Sequence, residues 1–197
     1  MTTIAEVEKA SVSTLARKKF RTDEIYKMVE AGILPEESGW ELIDGEIIHR
    51  MSIGSRHAGV VRKLSKILER KYGDAALISG QNPIHIDEHN EPEPDIALLK
   101  PHEDFYINSH PTSKDVLLLV EVSDLTLEYD REIKKSLYAK AGIFEFWLVN
   151  LQNNTLEVYS QPKNENYYLA RILESGEKVE SGTFENLTIE IDDILGL

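Results

Sequence analysis

The stretch DVLLLVEVSD, residues 115–124, holds a single acidic side chain inside an otherwise apolar run. The run from Leu117 to Val120, continued by Val122, predicts a strand buried on both faces of a sheet. Glu121 interrupts it, and an isolated buried carboxylate costs several kcal/mol unless a cation or hydrogen-bond donors compensate for its burial. The stretch therefore predicts a central strand whose acid either pairs with a basic side chain or belongs to a functional site.

A second apolar segment, PEPDIALL at residues 92–99, also carries an acid next to buried positions. Asp95 opens this predicted strand directly after Pro94, a position where a sheet tolerates proline. Asp95 either caps a turn or converges with Glu121, if the two strands are neighbours. Two convergent carboxylates suit Mg²⁺ or Mn²⁺, which prefer hard oxygen ligands and retain bound waters.

The sequence pattern in the rest of the chain predicts alternating helices and strands. Capping residues and apolar periodicity indicate helices at 22–32, 55–73 and 129–142, and an Asp44-Gly45 turn indicates a hairpin within 40–51. Further strands are predicted in IFEFWLVN (143–150), TLEVYSQ (155–161), NYYLARIL (166–173) and the tail LTIEIDDIL (187–195). This order favours an α/β (α+β) domain, residues 21–197, with a mixed central sheet flanked by helices and preceded by an N-terminal arm, residues 1–20.

The helix after the DVLLLVEVSD strand contains a lysine of interest. Its apolar residues Ile133, Leu137 and Ala141 share one face, which we expect to pack on the sheet. Lys134 lies at the border of that face. It either reaches back to the end of the strand that holds Glu121 or forms an exposed pair with Asp130.

Composition limits the functions to consider. The chain has 197 residues, 22 basic against 35 acidic side chains, a formal net charge of −13 and no cysteine. This acidity argues against a protein that coats DNA, but it is compatible with an enzyme whose acidic site binds a divalent metal. No apolar run is long enough to span a membrane and no secretory signal is visible, so we expect a cytoplasmic protein without membrane contacts.

Several motifs together resemble the Uma2 family of bacterial restriction-endonuclease-like proteins, within the PD-(D/E)XK nuclease superfamily. The resemblance covers roughly residues 20–195. The motifs are ELIDGEI (41–47), GSRHAGVV (54–61), EPEPDIALL (91–99), LLVEVSD (118–124) and YDREIKKSLYAKAGIFEFWLV (129–149).

The resemblance implies a restriction endonuclease-like fold and a metal-dependent nuclease that acts on nucleic acid, with DNA as the expected substrate. By the family pattern, Asp95 and Glu121 hold Mg²⁺ or Mn²⁺, with the backbone carbonyl of Val122 as a further ligand. Glu41, at the start of the first core strand, is similar to the acid that often joins such a metal site. Its alternative role is that of a surface strand residue.

Two more residues take their interpretation from the family. The signature lysine two positions after the strand acid is replaced here by Ser123, and the pattern places the lysine instead in the following helix, at Lys134. His57 shares the inward stripe of its helix with Val61 and Leu64, so it is either a satisfied core residue or a group that assists proton transfer or substrate contact.

Two other functions remain open. The charge of −13 and Ser123 favour a catalytically inactive interaction protein that keeps the fold, whereas an acidic hydrolase of a small phosphodiester or nucleotide would need no basic groove. Clustering of four cations beside the site would favour long nucleic acid, and their scattering would favour the alternatives; they are Lys63, Lys66, Arg70 and Lys71. A homodimer is expected only by analogy with the fold.

Overall fold

The computed structural model of the protein describes residues 16–35, 39–49, 54–184 and 188–196. Residues 1–15 of the predicted arm lie outside the described residues. The helices are α1 (Thr22–Glu30), α2 (Ser55–Tyr72), α3 (Leu127–Tyr129), α4 (Lys135–Lys140) and α5 (Ile191–Leu195). A π-helical turn, Asp130–Lys134, joins α3 to α4, so that residues 127–140 form one continuous helical segment.

Six strands form the central sheet in the order β3-β4-β5-β6-β7-β8. They are β3 (Leu77–Ser79), β4 (Ile96–Leu99), β5 (Val116–Ser123), β6 (Glu145–Asn150), β7 (Thr155–Lys163) and β8 (Asn166–Leu173). β5 and β6 are parallel, and the other neighbouring strands are antiparallel. The parallel pair is connected by the segment 127–140, as the chain reversal between parallel strands requires. The predicted α/β fold with a mixed central sheet is confirmed.

The sheet separates two apolar clusters. On one face, α2 and α5 pack against alternate side chains of the central strands, including Leu118, Val120 and Trp147. On the other face, side chains such as Leu119 and Phe146 pack beneath the segment 127–140. β4, β5 and β6 are buried almost throughout because both faces are covered, which explains their nearly continuous apolar sequences.

Two short antiparallel pairs complete the fold: β1 (Trp40–Ile43) with β2 (Glu46–His49), and β9 (Lys178–Glu180) with β10 (Thr188–Glu190). The first is the predicted hairpin, and its turn residues Asp44 and Gly45 both have positive φ, at 49° and 69°. Two central residues with positive φ are typical of the type I′ turn, which matches the twist of paired strands. None of the helices in the described ranges combines the length and apolarity needed to cross a bilayer.

The predicted inward face of the segment 127–140 is correct for Leu137 and Ala141 and wrong for Ile133. Ile133, expected to be inward, is 47% exposed, whereas Lys134 is 4% exposed and therefore buried. The π-helical turn fits an extra residue into one turn and so shifts the faces of the helix relative to a regular α-helix. Leu137 and Ala141 remain partly buried against the second cluster. The inward face is therefore partly polar, and its charges must be paired.

The predicted strand in the tail is correct only in part. β10 is extended, but Ile191–Leu195 is helical, and Ile191, Ile194 and Leu195 are buried in the first cluster. Their spacing is that of one helical face. The preceding alternation in LTIEI obscured this helical pattern because it continues without interruption into Ile191.

Candidate active site

Asp95 and Glu121 meet because β4 and β5 are antiparallel neighbours. Ile96 pairs with Val120, so the residue before Ile96 and the residue after Val120 stand opposite each other across the pair. Only 5% of Asp95 and 3% of Glu121 is exposed. The adjacency assumed in the sequence interpretation is therefore present, and two acids lie side by side in a largely apolar sheet.

Asp95 is held by donors from three directions. The backbone N–H of Val122 donates to Asp95 Oδ2 at 2.9 Å, and Gln81 Nε2 donates to Oδ1 at 3.3 Å. His57 Nε2, from the first turn of α2, lies 3.1 Å from Oδ1. Burial acts to raise the pKa of Asp95, but the hydrogen bond and charge of His57 and the Val122 N–H outweigh it and hold that pKa below its ordinary value. Asp95 is thus poised as an ionised oxygen ligand.

Lys134 lies between two buried carboxylates. Its Nζ donates to Glu41 Oε1 at 2.9 Å and to Glu121 Oε1 at 3.0 Å, and it is 3.9 Å from Asp130 Oδ1. Burial acts to lower the pKa of Lys134, but the charges of Glu121, Glu41 and Asp130 outweigh burial and raise it above its ordinary value. Lys134 therefore remains a cation, and the buried end of the helical turn carries a fixed positive charge into the sheet.

Burial disfavours the charged form of Glu121, and here the nearby lysine does not outweigh it. Burial is the largest cause that raises the pKa of Glu121. The charge of Lys134 lowers this pKa and the neighbouring carboxylates raise it, and the net result is a pKa of about 8. Tyr138, on α4, donates its hydroxyl to Glu121 Oε1 at 2.6 Å. Burial and the nearby carboxylates raise the pKa of Tyr138 well above its ordinary value, so it stays a donor. The site therefore holds more carboxyl groups than its single lysine can pair with.

Ser123, at the position of the signature lysine, contacts the same helical turn. Its Oγ donates to Asp130 Oδ2 at 2.6 Å, and Thr126 Oγ1 donates to the same oxygen at 2.7 Å. These two hydroxyls fix Asp130 where the π-helical turn begins, one π-turn before Lys134. A hydroxyl at position 123 thus anchors the helical segment that delivers the lysine.

A pocket of about 410 Å³ opens onto these groups. All of the predicted site residues line it: Glu41, His57, Asp95, Glu121, Val122 and Lys134. His49, Arg56, Leu125 and Tyr129 lie at the same pocket. A second cavity, of about 510 Å³, lies between the hairpin turn at Asp44 and α4 and contains none of the predicted residues. The predicted site residues therefore all lie at the first pocket.

The donor set fits a divalent cation of the magnesium type. Among the described residues no group of three or more His, Asp or Glu side chains is arranged to hold a metal alone. Mg²⁺ is commonly held by one or two carboxylates with waters and substrate phosphate, which the pair Asp95 and Glu121 can supply. Within the described part of the chain, Glu121 Oε2 accepts no hydrogen bond, so one carboxylate oxygen at the pocket is uncommitted.

Sequence reasoning did not identify the supporting residues. The sequence predicts no role for Tyr138, and Asp130 enters only as the partner of Lys134 in the alternative of an exposed pair. Both are buried, at 0% and 4% exposure. The available signal was the spacing of Asp130, Lys134 and Tyr138 at i, i+4 and i+8, which places three polar groups on one helical face.

The sheet order, the crossover segment and the paired acids define a restriction-endonuclease-like α/β domain. The chain matches the Uma2 family, described as "Putative restriction endonuclease", over residues 23–192. The protein therefore belongs to the Uma2 family. No curated protein matches the chain.

A solved structure shares this fold. It is described as a putative nuclease belonging to DUF820 from Anabaena variabilis ATCC 29413, and it superposes with a TM-score of 0.66 at 19% sequence identity. The match covers 90% of this chain and 98% of that one. At this identity the similarity establishes the fold.

Proposed function

We propose that the protein is a divalent-metal-dependent endonuclease that hydrolyses phosphodiester bonds of nucleic acid, with DNA as the substrate. The observation that carries this proposal is the convergence of two acids from neighbouring strands with a buried lysine, Lys134, at one pocket. Perturbed carboxylates and a lysine in a cleft are typical of hydrolytic sites. Membership of a family described as "Putative restriction endonuclease" supports the same chemistry.

In this proposal Asp95 and Glu121 hold Mg²⁺ or Mn²⁺. Glu41 and the backbone carbonyl of Val122 are proposed further ligands. When bound, such a cation lowers the pKa of a water molecule and stabilises negative charge on phosphate oxygens. The acids of the site, in excess over Lys134, favour a divalent cation in the same pocket.

The other side chains have separate proposed roles. Lys134 Nζ orients the attacking water or binds the scissile phosphate, since it stays positively charged beside Glu121. His57 holds Asp95 through Oδ1 and can accept or return a proton at the pocket. Tyr138 acts through Glu121, by fixing the orientation of its carboxylate, and is therefore a positioning residue.

Cleavage assays test the proposal directly. We expect the wild-type protein to cleave plasmid, linear duplex or single-stranded DNA in Mg²⁺ or Mn²⁺ and to lose this activity in EDTA. Glu121→Gln and Lys134→Met should reduce cleavage to background. Glu128→Gln and Lys135→Met are matched controls, since Glu128 has an 80% exposed side chain and Lys135 lies next to Lys134 outside the site pocket. Equal cleavage by the wild type and Glu121→Gln would refute the mechanism.

One alternative has its own observation in its favour. Lys134 donates hydrogen bonds to both Glu41 and Glu121, and the chain carries a net charge of −13. A protein that keeps the fold only for binding would show this arrangement and no cleavage with any metal. We expect instead that a divalent cation binds the same carboxylates as Lys134. A metal titration in the absence of substrate would detect this binding.

Two further features belong to the proposal. A homodimer is expected for a nuclease of this fold, and sedimentation equilibrium would test it. The cytoplasm is the expected compartment because a chain without cysteine needs no oxidising environment. Fluorescence microscopy of a tagged full-length chain would test that location.

A further inference from the structure

Helix α2 is basic, although the chain as a whole is acidic. Six of the 22 lysine and arginine residues lie in its 18 residues, together with a single acid, Glu69. The six are Arg56, Arg62, Lys63, Lys66, Arg70 and Lys71. A helix with this balance in a protein of net charge −13 is a local concentration of positive charge that composition alone conceals.

Four of these cations lie on the solvent side of α2. The inward face is formed by Val60, Leu64, Leu68 and Tyr72, all of which are buried. Arg62, Lys63, Lys66 and Arg70 are exposed, and at 3.6 residues per turn they follow one another along the opposite side. We call these four residues the basic stripe.

The basic stripe has no acidic partner within the described residues. Cations elsewhere in the chain commonly pair with acids, as Lys27 does with Asp23, Arg131 with Glu157 and Lys178 with Glu190. An ordinary exposed helix also mixes charges at i and i+4, which offsets the repulsion between like charges. Here four like charges repel one another along one face, which lowers stability slightly.

The helix that carries the basic stripe begins at the candidate active site, and the stripe itself begins at Arg62, beyond the pocket. Gly54, Arg56 and His57, at the first turn of α2, line the pocket, and His57 contacts Asp95. Arg56 is anchored at this rim, where its Nη1 donates to the carbonyl of Leu151 at 2.6 Å. The 18 residues of α2 span about 27 Å, so the charge extends well beyond the pocket.

We propose that the basic stripe of α2 binds the phosphate backbone of a nucleic-acid strand that continues out of the pocket. The substrate is then a polymer rather than a small phosphodiester or a nucleotide, because a small substrate would not reach Lys63 or Arg70. This inference rests on the proposed function for the chemistry of the pocket. Phosphate contacts by lysine and arginine supply affinity without sequence specificity, so the stripe fixes the path of the strand and leaves target choice to other groups.

A binding and cleavage comparison tests the inference. The triple variant Lys63→Gln, Lys66→Gln, Arg70→Gln is compared with the control Lys114→Gln, Lys163→Gln, Lys178→Gln, which changes the net charge by the same amount at exposed lysines outside α2. Fluorescence anisotropy of labelled duplex DNA, single-stranded DNA and single-stranded RNA is measured over a range of salt in Ca²⁺. Hydrolysis of bis(p-nitrophenyl) phosphate in Mn²⁺ reports the pocket alone.

We expect the stripe variant to bind nucleic acid about tenfold or more weakly than the control. In a plot of log K against log salt concentration, the magnitude of its slope should be smaller by about 3. Its hydrolysis of the small ester should equal that of the control. Equal nucleic-acid binding by the two variants, no binding by the wild type, or stripe-dependent binding to phosphatidylserine vesicles only would overturn the inference. Stripe-dependent binding without cleavage by any protein would instead refute the proposed nuclease activity and leave the inference standing.

Discussion

Glu121 shows how a charge is accommodated inside a central strand. Its Oε1 receives both the ammonium of Lys134 and the hydroxyl of Tyr138, at 3.0 and 2.6 Å. The cation and the neutral donor offset part of the cost of burying this carboxylate, and the raised pKa of Glu121 shows that burial is not fully compensated. This compensation depends on the position of Lys134, and the helical segment 127–140 must hold its ammonium group beside Glu121.

Removing that lysine should destabilise the metal-free protein. Lys134→Met leaves the Glu41 and Glu121 carboxylates buried beside each other without their cation, so we expect a loss of about 3–5 kcal/mol in the free energy of unfolding. Mn²⁺ or Ca²⁺ should restore part of this loss by neutralising the same acids. Urea unfolding in EDTA and in Mn²⁺ measures both effects, with Lys135→Met as the control. A variant as stable as the wild type in EDTA would show that the three groups do not form a charged cluster.

Substitution of Tyr138 can separate the role of its hydroxyl, which positions Glu121, from the packing of its ring in the core. Tyr138→Phe removes only the hydroxyl that donates to Glu121, and we expect Mn²⁺ affinity to fall about 10–100-fold, as for other partners of ligating carboxylates. Tyr167→Phe is the matched control, because the buried Tyr167 hydroxyl has no hydrogen-bond partner among the described residues. Isothermal titration with Mn²⁺ gives both affinities. Equal affinities in the two variants would assign Tyr138 to the core alone.

The acids and the lysine could be predicted from sequence because each breaks a pattern. Glu121 interrupts an apolar strand, Asp95 opens another, and Lys134 follows at a fixed distance in the Uma2 motif. Tyr138 could not be predicted in this way, since an aromatic residue in a helix that packs on a sheet is normally core. Only the three-dimensional path of the π-helical turn shows that its hydroxyl reaches Glu121.

The segment 127–140 depends on polar anchors at the start of its π-helical turn. Ser123 and Thr126 hold Asp130 on one side of the π-helical turn. Arg131 extends to β7, where it donates to both carboxylate oxygens of Glu157 at 3.1 and 2.5 Å. These contacts explain why the helical segment turns polar side chains toward the sheet. Apolar periodicity alone placed Ile133 on that side instead.

The anchor to β7 should depend on pH. Burial acts to raise the pKa of Glu157, but hydrogen bonds from Arg131 and Tyr159 outweigh it and hold that pKa below its ordinary value of 4.5. Because the folded-state pKa is lowered, the stabilisation is present above pH 4.5 and is lost as the pH falls through the folded-state value. We expect Arg131→Met to cost about 1–3 kcal/mol at neutral pH and progressively less below pH 4.5.

The control for this anchor is Glu128→Gln. Glu128 contacts the same Arg131 at 2.8 Å, but its side chain is 80% exposed, so its removal should change stability by less than about 0.5 kcal/mol. Chemical unfolding of the three proteins between acidic and neutral pH supplies the comparison. A cost of Arg131→Met that is independent of pH would mean that the arginine stabilises through packing of its aliphatic part.

One sheet links both apolar clusters. β4, β5 and β6 contribute alternate side chains to the cluster under α2 and α5 and to the cluster under the segment 127–140. Neither cluster can lose its strands without exposing the other. This shared sheet is the physical reason for predicting residues 21–197 as one domain, which length and composition alone could only suggest.

Unfolding should therefore be a single cooperative transition. Trp147 is fully buried in the first cluster, and Trp40→Phe would leave it as the sole tryptophan reporter, since the chain has two tryptophans. We expect its fluorescence and the far-ultraviolet circular dichroism to change with the same urea midpoint. Tyr138→Phe, which alters the second cluster, should shift both signals together because the sheet transmits the loss. A fluorescence midpoint that differs from the circular dichroism midpoint would show that residues 21–197 contain separate folding units. The site acids would then lie on the strands that these units share.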